Sequence, residues 1–172
     1  MRKIVEFIGR DLTWVRPELW KREYELRSQD EVVAALRFKS PFSSQASGES
    51  GEGSWIFKRI GFLQTTIAIL EEGTNIELGR FKRNWKGIRT LMLPYGRKYL
   101  ASAHPWQSSY IFSTEAGEPL IHYKIGSAVL QSAATLIEPR AANIPELPWM
   151  VLLGWYVVVR LRQRAAAAGA SR

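Results

Sequence analysis

These 172 residues predict a mainly β fold, a closed barrel of about twelve strands with a hydrophobic α-helix at its centre. Three observations predict it. Short β-favouring stretches recur about every 8–12 residues with turn residues between them, the spacing of a sandwich or barrel. The run Leu147–Val159 (LPWMVLLGWYVVV) is apolar on every side, so as a helix it must be buried all round. There is no Cys, which removes a disulfide scaffold, a Cys-ligated metal and a thiol nucleophile.

The elements follow in order. Tyr24–Arg27 and Val32–Phe38 flank the turn Ser28-Gln29-Asp30. Ser43–Gly53 (SSQASGESGEG) has the composition of an exposed flexible loop within one domain, since the strand pattern resumes at once. Ser54–Arg59 and Phe62–Leu70 come next, then a turn through Gly73 into Ile76–Arg83. Ile88–Leu93 leads through Pro94-Tyr95-Gly96, a turn by composition, into Lys98–Ser102. Tyr110–Ser113 and Leu120–Lys124 flank Glu115-Ala116-Gly117-Glu118, and Ala128–Gln131 and Ala134–Glu138 complete roughly eleven strands. An internal echo runs through Asp30–Phe38, Asn75–Lys82 and Gly117–Lys124, each a turn, an apolar pair, then a basic residue beside an aromatic one.

Leu147–Leu161 admits three readings. A membrane span needs about 20 apolar residues, more than this run supplies before Arg160, Arg162 and Arg164. A buried strand suits Val157-Val158-Val159 but not the length or Gly154. A helix threaded through the barrel answers a geometric need, because about twelve strands enclose a lumen too wide for their own side chains to fill. The helix is expected over 147–164, with Ala165–Arg172 as a disordered tail.

The formal charge is +8 at pH 7. Such an excess attracts polyanions, or is simply solvated surface. Residues 58–98 carry nine basic side chains against Glu71, Glu72 and Glu77. The candidate lipid- or phosphate-binding residues are Lys58, Arg59, Arg80, Lys82, Arg83, Lys86 and Arg89, with Trp85 among them. Arg offers bidentate donors to phosphate and Lys a point charge. Arg80, Lys82 and Arg89 alternate with apolar residues, which would place them on one strand face. The same cations would suit an ordinary outward barrel face, where alternation demands polar residues. No helix-turn-helix, finger or RNP motif supports nucleic acid.

Catalytic signals are lacking. His104 and His122 are the only histidines, and there is no G-x-S-x-G, H-E-x-x-H or glycine-rich phosphate loop. The expectation is no enzyme, no catalytic residue, no metal and no cofactor. The N-terminal apolar patch Ile4–Ile8 is broken by Glu6 and has no cleavage site after it, so a cytoplasmic location is the default.

Four stretches set beside the terminal helix carry a resemblance. They are Glu23-Tyr24-Glu25-Leu26 into Val32–Phe38, Gly53–Arg59 (GSWIFKR), Asn84-Trp85-Lys86-Gly87, and PWMVLLGWYVVV. Together they resemble the tubby C-terminal-like superfamily, which includes tubby proteins, LURP-one-related proteins and phospholipid scramblases. The resemblance spans roughly Leu12 to Arg164 and implies a twelve-stranded barrel around a hydrophobic helix. It also implies phosphoinositide binding of the tubby kind, although no site residue aligns. Scramblase activity is not carried over, because the chain lacks Cys for palmitoylation and an Asp-rich calcium segment. The expected function is a non-enzymatic module at the membrane surface or in protein interaction, whose basic face binds acidic phospholipid headgroups. The alternatives are a carrier of an apolar small molecule in the lumen and a tail-anchored membrane protein.

Overall fold

In the computed structural model, described for residues 1–61, 65–84, 88–104, 108–125 and 132–171, twelve antiparallel strands close into a barrel around one helix. The strands are β1 (Leu12–Val15), β2 (Glu23–Ser28), β3 (Glu31–Phe38), β4 (Ala46–Ser50), β5 (Gly53–Ile60) and β6 (Thr66–Glu71). They continue as β7 (Glu77–Arg83), β8 (Arg89–Met92), β9 (Lys98–His104), β10 (Ser109–Thr114), β11 (Pro119–Ile125) and β12 (Ser132–Ile137). Each pairs with its neighbours in sequence, and β1 closes the ring on β12 with Leu12 opposite Thr135. Odd-numbered strands therefore run one way and even-numbered strands return. Helix α1 (Leu147–Ala170) follows β12 and the 3-10 turn Pro139–Asn143, runs parallel to the odd strands, and threads the lumen. We call the end where α1 begins the base, and the end where it leaves the mouth.

Alternation makes the strands. In β5, Trp55 and Phe57 are buried and their neighbours are not, which is the period-2 pattern of a wall with one face inward. Pro148 sits in the first turn of α1, where its missing N–H is an orphan donor anyway. Every residue from Leu147 to Val159 is buried. The helix takes its seat through aromatic contacts. Trp155 stacks on Trp14 with ring centroids 5.3 Å apart and planes 4° apart. Tyr156 lies between Phe38 at 5.6 Å and Phe57 at 5.8 Å. Two glycines let the helix and the wall approach closely. A Cβ on Gly48 would lie 2.9 Å from the Phe57 ring and 3.1 Å from Leu152, and one on Gly154 would overlap the Tyr123 phenol. The Tyr123 hydroxyl donates to the Val151 carbonyl at 2.8 Å.

Three expectations change. Ser43–Gly53 is not a flexible loop: β4 lies inside it, paired with β3 and β5. Its inward residues are only Ala46 and Gly48, kept small because α1 passes close by, so no hydrophobic alternation marks it. Leu12–Val15 adds a strand of four residues. Ala165–Ala170 is not disordered but continues α1, as the high helix propensity of alanine favours. The expected strand Ala128–Gln131, and part of Phe62–Leu70, lie outside the described residues. Among the described residues no helix is long and apolar enough to cross a membrane. The echoing segments become β3, β7 and β11, spaced four strands apart around the ring.

Candidate anion-binding site

At the mouth, three strands carry the inward-facing alternation one step past their last aromatic or aliphatic residue, and that step is an arginine. In β5 the series is Trp55, Phe57, Arg59; in β7 it is Gly79, Phe81, Arg83; in β8, read toward the mouth, it is Leu91, Arg89. Arg83 and Arg89 are register partners, and Arg59 is opposite Ile67, which is opposite Phe81. The helix completes the group. Tyr156, Arg160 and Arg164 recur every four residues and so share one face of α1. Between that face and the rim lies a cavity of about 340 Å³ with Ile67, Phe81, Val157 and Leu161 in its apolar lining. Arg59, Arg83, Arg89, Arg160 and Arg164 ring it together with Asn84 and Thr65, and among the described residues no carboxylate lines it.

The contrast with other arginines is informative. Arg2, Arg27, Arg37, Arg80, Arg97 and Arg140 each pair with a glutamate. Those at the mouth are instead gathered against one another. Burial first, then the charges of Arg160, Arg59, Arg89 and Arg83, hold the Arg164 guanidinium below its ordinary value. Burial raises the Tyr156 hydroxyl, and Arg160, Arg164 and Arg59 pull it part of the way back. That hydroxyl donates to the Ser44 carbonyl at 2.5 Å, fixing the ring beneath the arginines. Guanidinium groups are planar multiple donors suited to phosphate, and the absent counter-charge is what an anion would supply.

The residues proposed from sequence divide into two sets. Arg59, Arg83 and Arg89 come together in this cavity. Lys58, Arg80 and Lys82 have the opposite parity and point outward; Arg80 is paired with Glu77. Arg89 therefore does not share a face with Arg80 and Lys82: Lys82 is opposite Thr90, and Arg80 opposite Met92. Trp85 and Lys86 lie outside the described residues. Arg160 and Arg164 belong to the site although in the sequence they only mark the end of the apolar run. Their spacing from Tyr156 was the available signal, but it acquires meaning only once the facing rim is known. His104 contacts the Ser102 hydroxyl at 3.0 Å on the exposed end of β9 and does not line the cavity. No protein-family model, curated protein or solved structure matches this chain, so the fold and the cavity stand on their own geometry.

Proposed function

We propose that the protein is a non-enzymatic, tubby-like barrel that docks peripherally, at the cytoplasmic face of a membrane, and binds acidic phospholipid headgroups at its mouth. The observation that carries this reading is the set of five arginines converging on one cavity without a carboxylate among the described lining residues. Their mutual repulsion is relieved when an anion enters, so binding is favoured by removing an unfavourable state as well as by forming new hydrogen bonds. The apolar lining suits the glycerol and first acyl carbons that follow a headgroup phosphate. The carrier reading has less support, because α1 from Trp149 to Val159 is buried against the wall along its length. The tail-anchor reading has less still, because the same apolar residues are covered by strands.

Vesicle co-sedimentation tests it. Binding is expected to phosphatidylcholine vesicles containing phosphatidylserine, and not to phosphatidylcholine alone, with affinity falling as salt rises. A basic residue near an acidic surface contributes about 1 kcal/mol. Replacing Arg59, Arg83 and Arg89 together with Gln should therefore weaken binding about a hundredfold. Lys58→Gln with Lys82→Gln should weaken it far less. Equal binding to neutral and acidic vesicles at low salt would overturn the reading.

A further inference from the structure

We propose that two loops beside the arginine mouth are a bilayer-insertion surface, and that Leu19, Trp20 and Phe42 enter the boundary between headgroups and acyl chains of an acidic membrane. This rests on the headgroup-binding reading above and adds an orientation: the barrel stands on its mouth, with α1 along the membrane normal. The β1–β2 loop spans 16–22 and the β3–β4 loop spans 39–45, and the meander places both at the end where α1 leaves.

The tips of these loops are apolar and uncovered. Phe42 is 98% exposed, Trp20 79% and Leu19 57%. An aromatic ring left in water gains nothing for the fold, and turn tips are ordinarily small and polar. The backbones beneath are nevertheless well tied. The Arg22 guanidinium lies 4.1 Å over the Phe38 ring and donates to the carbonyls of Ser40 at 3.1 Å and Pro41 at 2.6 Å, which joins one loop to the other. Arg16 donates to the Lys21 carbonyl at 2.7 Å, and Lys39 N–H to the Gln45 carbonyl at 3.0 Å. Tyr156, the floor of the arginine cavity, donates to Ser44 of the second loop, so loops and cavity form one built surface. The hydrogen bonds face inward and the rings face out.

Charge selects the partner. The tips are flanked by Arg16, Lys21, Arg22 and Lys39; Glu18, beside Leu19, is paired with Lys21 at 2.8 Å, which leaves the two loops with a net positive charge, and Arg22 is close enough to feel Arg160 and Arg16. Trp and Phe with adjacent cations match the two layers of an acidic membrane surface, an apolar edge beneath phosphates. At the base, Tyr95 is fully exposed as well and is followed by Arg97 and Lys98, but Arg97 is paired with Glu146 and the neighbouring turns carry Asp30, Glu52, Glu72, Glu115 and Glu118, which an acidic membrane repels.

The absence of Cys makes the test direct. Single variants Phe42→Cys, Trp20→Cys and Tyr95→Cys are labelled with an environment-sensitive dye and mixed with phosphatidylcholine–phosphatidylserine vesicles, some containing spin-labelled acyl chains. Expected are a blue shift and quenching at positions 42 and 20 and neither at 95. Trp20→Ser with Phe42→Ser should lower vesicle affinity about tenfold or more, and most visibly at high salt, where charge is screened. If the protein co-sediments but the dyes at 20 and 42 stay in water, insertion is overturned while headgroup binding stands. If nothing co-sediments, both fall. A blue shift without vesicles that grows with protein concentration assigns the surface to a second copy and also overturns the proposal.

Discussion

Gly154 and Tyr123 set the distance between helix and wall. The phenol of Tyr123 occupies the space that a side chain at 154 would need, and its hydroxyl is tied to the helix at Val151. Gly154→Ala forces either the ring or the helix to move, and overpacking of this kind costs about 1–3 kcal/mol. Tyr123→Phe removes only the hydrogen bond, worth about 1 kcal/mol. Urea unfolding should therefore place Gly154→Ala at the lower midpoint of the two; equal midpoints would mean that the contact is slack. Much at this scale could be read from sequence, and some could not. The apolar run 147–159 was legible because no surface helix looks like it. The role of Gly154 was not, because a glycine in an apolar run gives no hint of the ring 31 residues earlier that needs its missing side chain.

At the scale of elements, legibility tracks how much each strand buries. β5 and β10 carry large inward side chains at alternate positions and were visible. β4 was hidden because its inward positions are Ala46 and Gly48, so its composition imitated a loop. β1 was hidden because four residues offer only Leu12 and Trp14 as an inward pair. The arginine site was half legible: charge density singled out the right segment, and the alternation Trp55, Phe57, Arg59 is local, but that Arg59, Arg83 and Arg89 meet at one end follows from registers that no local pattern fixes. The helix itself divides into parts with different duties. Leu147–Val159 is wholly buried, Arg160–Gln163 is half-buried, and Arg164–Ala170 is exposed. A chain ending at Arg164 should keep its thermal midpoint within a few degrees. A chain ending at Glu146 should lose the cooperative transition altogether, because the lumen then lacks its filling. Circular dichroism melts of the two compare them directly, and a cooperative melt for the shorter one would show that the strands close without the helix.

The whole molecule is polarised along its axis. Toward the base, Arg2, Arg80, Arg97 and Arg140 are each paired with a glutamate, whereas Arg59, Arg83, Arg89, Arg160 and Arg164 gather at the mouth around a cavity with no carboxylate among its described lining residues, so the uncompensated positive charge lies toward one end. Between the two ends the lumen is filled by buried side chains of the wall and the helix. Burial raises the phenols of Tyr110, Tyr123 and Tyr156 above their ordinary 10.0, on two strands and the helix. The fold thus favours their neutral form. Below pH about 10 the unfolded chain holds the same protons, and this contribution to stability is complete. Above it the unfolded chain releases protons that the folded chain keeps, so stability falls as pH rises. Phenolate absorbance of these rings should appear together with loss of near-ultraviolet circular dichroism, as one alkaline unfolding step. Titration of all six tyrosines with the near-ultraviolet spectrum intact would show that water reaches the lumen.

Closure of β1 on β12 has a kinetic consequence. The seam joins segments separated by almost the whole strand-forming chain, and the plug follows the last strand in chain order. During synthesis, the concave surface of the growing sheet has no native companion until the final element has left the ribosome. Distant pairings of this kind fold slowly, because a long loop must be ordered before any contact compensates for it. The nascent chain is therefore expected to spend an extended interval as an open, sticky gutter, and co-expression of a chaperone should raise its yield.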